Sequence, residues 1–226
     1  MKLFVFVIAL ILLATPVIAG GMVQDIGSLK GETDQVSVDI GAISAATISV
    51  VKETGDSNTL YVKNSFTGIA KPIAANIHGD SANALSDSFS VIPDKGIAVF
   101  HSWATNLVVG SQPGVNVYIK DISTNDISVL KQGARFPALS PDGKYIVYEW
   151  TPNYDTTLPA IYLYDNTQHT ERFLAYTSGG NSYGWTTQDF NITNTTVSFL
   201  TSYPYPGISG FSKMQYNIPA NSLGVI

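Results

Sequence analysis

Leu139-Ser140-Pro141-Asp142-Gly143-Lys144-Tyr145-Ile146-Val147-Tyr148 reads as a strand, a tight turn and a second strand. Proline presets φ at the first turn position, and glycine supplies the position that needs φ above zero. The apolar residues on either side are of the kind that line a pleated sheet. Working outward, Phe89-Ser90-Val91-Ile92-Pro93-Asp94-Lys95-Gly96-Ile97-Ala98-Val99-Phe100 has the same order of strand, Pro-Asp turn and strand. Pro93 and Pro141 are 48 residues apart.

A second pattern follows each of these. Leu60-Tyr61-Val62-Lys63-Asn64, Val117-Tyr118-Ile119-Lys120-Asp121 and Ile161-Tyr162-Leu163-Tyr164-Asp165 share an apolar residue, Tyr, an aliphatic residue, any residue, then Asn or Asp. Each runs into a short polar turn and a further β-like run: Ile69–Ile73, Asp126–Leu130 and Glu171–Leu174. The Asn or Asp side chain is placed to bond the turn backbone just beyond it. This predicts a hairpin repeated three times.

The Tyr landmarks 61, 118 and 162 are 57 and 44 residues apart, so the strands are constant and the loops between them vary. In the first unit, Val36–Ile40 and Thr47–Val51 stand where the Pro-Asp hairpin would be. After the third, Tyr183-Gly184-Trp185, Thr195–Leu200, Met214–Asn221 and Leu223–Ile226 repeat the plan loosely. Four short strands in about 45 residues is how a propeller blade looks in sequence. The expected fold is all-β and propeller-like, with about four blades of four antiparallel strands. The units fall at about 34–79, 80–133, 134–180 and 181–226.

The Ser140-Pro141-Asp142-Gly143-Lys144 turn with its apolar strand resembles the repeat of the TolB-type, WD-like β-propeller family. Ile161–Asp165 is similar to the strand and turn that follow it there. The third unit matches best and the second departs in residue order at Pro93–Gly96, while the first and fourth are weak. The family uses these residues for turn geometry and blade packing. The resemblance therefore implies the fold and an exported, surface setting, and it implies no chemistry. Propeller rings close by sharing strands or by a disulfide. Here each unit runs through its strands in order and the chain has no cysteine. Either the first and last units meet, or a second chain completes the edges as a homodimer, or the chain is a relic or fragment of a larger propeller.

Composition agrees with a packed β protein. Apolar residues make up 45% of the 226 and charged residues only 13%, enough for a core and too few for a disordered chain. The net charge of −5 disfavours nucleic acid as a partner. Lys2 followed by the apolar run Leu3–Leu13, then Val17 and Ala19, fits a signal peptide over residues 1–19 cleaved after Ala19. Its competitor is an uncleaved anchor, since Leu3–Ala19 reaches the lower edge of a spanning helix. Residues 20–33 read as a linker and 34–226 as the propeller. The expected location is secreted, periplasmic or on the extracellular surface.

No motif carries chemistry. His78, His101 and His169 have no metal-ligand spacing and read as exposed turn residues. No Gly-x-Ser-x-Gly elbow or phosphate loop occurs. Asp87, Asp94, Asp142, Glu149, Asp155 and Asp189 are the carboxylates a glycosidase pair would draw on. Glu53–Asn58 reads as a solvated turn and not a calcium loop. Neither catalytic residues, a metal nor a cofactor is expected.

Aromatic residues are more suggestive. Trp150, Tyr154, Tyr183, Trp185, Tyr203 and Tyr205 cluster in the last two units. Tyr and Trp anchor interfaces. Trp150, Tyr154, Tyr203 and Tyr205 are the expected binding surface. Asn191-Ile192-Thr193 and Asn194-Thr195-Thr196 are N-glycosylation acceptors at an expected turn. These features point to a non-catalytic exported scaffold that binds a protein or cell-surface ligand. The rivals are a self-associating envelope or fibre subunit and a carbohydrate-active enzyme with carboxylates in the propeller funnel.

Overall fold

The computed structural model describes residues 38–43, 46–52, 60–64, 70–151, 158–177, 190–201 and 212–226. The predicted signal segment and linker, residues 1–33, lie outside them. The described strands form four antiparallel four-stranded sheets, each built from consecutive strands in chain order. Blade 1 holds β1 (Val38–Ile43), β2 (Ala46–Lys52), β3 (Leu60–Asn64) and β4 (Ala70–Pro72). Blade 2 holds β5 (Ser86–Ile92), β6 (Ile97–Ser102), β7 (Asn116–Asp121) and β8 (Ile127–Gln132). Blade 3 holds β9 (Ala134–Leu139), β10 (Tyr145–Trp150), β11 (Ala160–Asp165) and β12 (Thr170–Tyr176). Blade 4 holds β13 (Asn191–Ile192), β14 (Thr196–Thr201), β15 (Ser212–Asn217) and β16 (Ser222–Val225). No helix among the described residues is long and apolar enough to cross a membrane.

Alternation along the strands builds the layers between sheets, because successive side chains leave opposite faces. On β10, Ile146 and Tyr148 pack toward blade 2 with Val99, Val117 and Leu139. Val147 points the other way and joins Ile161 and Leu163 against Val197, Phe199, Met214 and Tyr216 of blade 4. Phe100 and Tyr118 of blade 2 meet Leu60 and Val62 of blade 1. Blades 2 and 3 are thus buried on both faces, which accounts for their near-continuous apolar strands. Each fully buried aliphatic or Phe side chain contributes about 1.5–3 kcal/mol.

The repeat is reproduced atom by atom in the turns. Asp121 Oδ1 accepts from the N–H groups of Ser123 and Thr124 and from Ser123 Oγ–H, at 2.7, 3.0 and 2.5 Å. Asp165 Oδ1 accepts from Thr167 and Gln168 N–H and from Thr167 Oγ1–H, at 2.9, 3.0 and 2.6 Å. Asn125 and His169, 44 residues apart, both take φ above zero in these turns, at 69° and 54°. Among the strands, Phe100 stacks on Tyr118 at 5.5 Å and Tyr148 stacks on Tyr162 at 6.3 Å, and both are directly opposed register pairs. The Pro-Asp turns differ by one residue: a short 3-10 turn over Pro93–Lys95 ends at Gly96, whereas Gly143 takes the left-handed position inside its turn.

Candidate functional site

The 48-residue offset between β5–β6 and β9–β10 superposes two polar pairs. Asp87 stands opposite His101 across blade 2, and Arg135 stands opposite Glu149 across blade 3. Immediately after Asp87 and Arg135 the first strand of each blade carries an extra residue. Ser88 and Phe136 are these residues, with φ of 42° and 54°. Such bulges re-aim side chains and recur beside functional sites. The φ values are strained for residues with a Cβ, and Phe136 in particular stays there only because its surroundings hold it. Ser88 N–H donates to Asp87 Oδ1 at 2.8 Å.

Asp87 and His101 lie on the face that blade 2 turns toward blade 3, and Arg135 is near enough to act on the His101 ring, whereas Glu149 shares the β10 face that Val147 turns toward blade 4. Arg135 Nε and Nη2 both lie 2.6 Å from Glu149 Oε1, and Glu149 is fully buried. His101 is 3% exposed. Its ring meets Trp103 edge-on at 4.9 Å and Phe136 at 5.5 Å. Phe136 N–H donates to His101 Nδ1 at 3.2 Å. An Nδ1 that accepts leaves Nε2 as the N–H of a neutral ring. Burial pushes the imidazole down to about 4; Asp87 opposes that shift and Arg135 adds to it. The expectation that His101 is an exposed turn residue is therefore corrected. It ends a strand whose neighbours are apolar, and the next blade covers it. His78 and His169 are exposed, and Tyr164 Oη lies 2.9 Å from His169 Nδ1.

A second feature lies on the blade 3 side of the same junction. Rings run from Trp150 to Tyr162, Phe173 and Tyr176 with successive centroids 5.4, 5.8 and 5.0 Å apart. Phe173 and Tyr176 are 45% and 38% exposed. Lys131 from blade 2 reaches across, its Nζ 3.7 Å from the Trp150 ring centre and 2.9 Å from Glu171 Oε2. Tyr148 donates its hydroxyl to the same Glu171 carboxylate. Burial first, then that carboxylate, hold the Tyr148 hydroxyl far above the usual phenol range. Trp150 Nε1 donates to Gln132 O at 2.9 Å.

Of the expected aromatic surface, Trp150 is half-buried and heads this row, while Tyr154, Tyr203 and Tyr205 lie outside the described residues, as do Tyr183, Trp185, Asp155, Asp189 and Glu53–Asn58. Asp94 and Asp142 sit in the turns between β5 and β6 and between β9 and β10, where Asp142 Oδ1 accepts from Ser140 Oγ and Lys144 N–H. Asn191 lies on β13 and Asn194 in the following turn, both exposed. Among the described residues no three His, Asp or Glu side chains come together to hold a metal. Sequence reading missed Phe173 and Tyr176 because they sit in a regular strand and read as packing. It weighed Asp87, His101 and Glu149 singly. The 48-residue offset, applied to every position, aligns Asp87 with Arg135 and His101 with Glu149.

No protein-family profile and no curated protein matches the chain. Solved structures do. The β-propeller domain of the Trilobed protease from Pyrococcus furiosus, described as having an open velcro topology, matches with a TM-score of 0.51 at 8% identity, over 85% of this chain and 57% of that one. A puromycin-hydrolyzing peptidase from Mycobacterium tuberculosis matches with a TM-score of 0.52 at 11% identity, over 86% of this chain and 30% of that one. TolB from Acinetobacter baumannii has a TM-score of 0.48 at 16% identity, over 80% of this chain and 40% of that one. The chain spans less than two thirds of each of these. The first, together with the four chain-ordered sheets, carries the assignment: the fold is a β-propeller. The chain-ordered strands of every described sheet agree with a propeller whose blades do not exchange strands.

These matches correct one expectation. The chain was expected to be non-catalytic, yet its fold also forms part of a peptidase. At 11% identity that likeness shows the fold alone. The blades therefore give no ground for setting catalysis aside, since that expectation came from turn motifs that speak only to geometry and from the absence of recognised catalytic motifs.

Proposed function

We propose that the chain is an exported β-propeller scaffold that holds a protein or cell-surface partner against the outer aromatic row of blade 3. The observation that carries this reading is the continuity of Trp150, Tyr162, Phe173 and Tyr176, which ends in two exposed rings on a strand paired with its neighbour on both sides of one bulge. Rigid aromatic area loses little entropy on binding and supplies most interface hot spots. Export is supported by Lys2 and the apolar run after it.

Binding of the purified, fluorescently labelled protein to intact cells of its own source tests the reading. Replacing Phe173 and Tyr176 together by Ser leaves the buried layers untouched. The expected result is at least a tenfold loss of cell-bound protein. Undiminished binding by the double variant overturns the reading. Light scattering on the same samples identifies a second copy as the partner if the wild type is oligomeric and the variant is not.

A further inference from the structure

The faces that blades 2 and 3 turn toward the next blade are apolar at three of four matching places, the fourth being buried His101 in blade 2 and buried Glu149 in blade 3. In blade 2 the register pair Val99–Ile119, with Val117 beside it, packs on blade 3. In blade 3 the pair Val147–Leu163, with Ile161 beside it, packs on blade 4. Register places Ser198–Gln215 and Lys213 at these positions of blade 4. Gln215 Nε2 donates to Ser198 Oγ at 3.3 Å, and Lys213 is exposed. Leu200, the apolar residue of this face, is 47% exposed. The opposite face of the same blade, with Val197, Phe199, Met214 and Tyr216, is as apolar as any other. Covering Lys213 and Gln215 with another blade would strip water from an ammonium and an amide and return little apolar contact.

Asn191 belongs to the same polar face. Cross-strand register runs Asn191, Ser198, Gln215, Gly224, while Ile192, one residue on, is fully buried toward blade 3. Asn191 is exposed and opens the acceptor triplet Asn191-Ile192-Thr193. Asn194 opens the second triplet, but its Oδ1 accepts Asp142 N–H at 3.1 Å, which holds its amide against blade 3.

We infer that the outward face of blade 4 is a free end face that carries an N-linked glycan on Asn191. The sugar lies beside half-buried Gln215 and exposed Gly224, which are the reachable part of this row because Ser198 is itself buried. Blade 3 presents no equivalent, because its corresponding row begins Ala138, Val147, Leu163 and turns polar only at Arg172 on the outermost strand. The modification half of this inference rests on export, because N-linked transfer acts on exported chains.

Peptide mapping of protein isolated from the cells that make it tests the modification. The expected result is a glycan on the Asn191 peptide, lost in Asn191→Gln. Exported protein with an unmodified Asn191 overturns the glycan and leaves export intact. Protein retained in the cytoplasm with residues 1–19 still attached overturns export and the glycan together. The chain has no cysteine, so one introduced thiol reports on one face. Lys213→Cys is expected to react with a maleimide at least 100-fold faster than Ile161→Cys or Val117→Cys in native protein, with all three equal in denaturant. A protected thiol at 213 overturns the free face.

Discussion

Phe136 donates its backbone N–H to His101 Nδ1 across the boundary between blades 2 and 3, and it does so from a left-handed conformation. The bond exists only while Nδ1 is unprotonated. A protonated ring has donors on both nitrogens, so acid removes the acceptor and places a charge between Asp87 and Arg135. The folded imidazole titrates at about 4 against 6.5 unfolded. Between those values the unfolded chain binds a proton that the folded chain does not. Stability contributed by the neutral ring is therefore whole above pH 6.5 and is lost as pH falls toward 4. The loss amounts to about 3 kcal/mol when complete. Denaturant unfolding of wild type and His101→Gln at pH 7, 5.5 and 4 checks this. Gln retains an acceptor for Phe136 and does not titrate, so its stability is expected to fall less than that of wild type by that amount. Parallel pH profiles sink the assignment.

Arg135→Ala removes the guanidinium and leaves the Glu149 carboxylate buried between blades. A buried charge deprived of its ion-pair partner costs about 3–5 kcal/mol. Replacing both members, Arg135→Met with Glu149→Leu, is expected to restore most of that stability, because neither charge is then desolvated. The check is the coupling energy of the double-mutant cycle from urea unfolding. Additive losses would show that the pair does not interact.

The blades were legible because the turns that join their strands need particular residues. Pro141, Gly143, Asp121 and Asp165 each satisfy a local backbone requirement, so they mark the hairpins without reference to anything distant. What the sequence concealed depends on the packing of one blade on the next. His101 follows Ala98-Val99-Phe100 and nothing local says that Phe136, 35 residues on, will cover it. Phe173 reads as an apolar strand residue, yet its strand is the outermost of its blade and its ring is exposed. The candidate site was hidden for the same reason, since its members come from four strands and two blades. The apolar pattern identified which face of each strand is buried and left open which neighbour buries it.

Lys120 is a buried cation whose Nζ donates to Ala75 O at 2.8 Å, tying blade 2 to the segment that enters it. Burial pushes the ammonium down to about 8 from 10.5. Below pH 8 both states carry the charge and the folded one bears its desolvation. Between 8 and 10.5 the unfolded chain alone stays protonated, so this residue's contribution to stability rises with pH. Wild type is expected to gain on Lys120→Met between pH 7.5 and 10 in thermal unfolding, whatever Met costs at the lower pH by leaving Ala75 O without its donor. A constant difference across that range counts against a depressed Lys120.

Gly143 combines two constraints. Its φ is +72°, and a Cβ there would stand 3.4 Å from Ile97 Cδ1 and 3.7 Å from Ile92 Cδ1, both in blade 2. Any L-residue takes on left-handed strain of about 1–2 kcal/mol, and the contact adds to it because the Ile pair is packed between blades. Gly96 shares the conformation at φ +66°, but a Cβ there would meet nothing nearer than 3.7 Å. Gly143→Ala is therefore expected to be the costlier of the two, because its Cβ has the closer neighbour. Gly143→Asn tolerates the conformation better but carries more bulk toward Ile97. Trimming that neighbour in Gly143→Ala with Ile97→Val separates the two effects: relief of the difference assigns it to contact, and no relief assigns all of it to the backbone. Chemical unfolding of the four variants with wild type measures both terms, and equal losses at positions 96 and 143 would rule out the inter-blade contact as a cause.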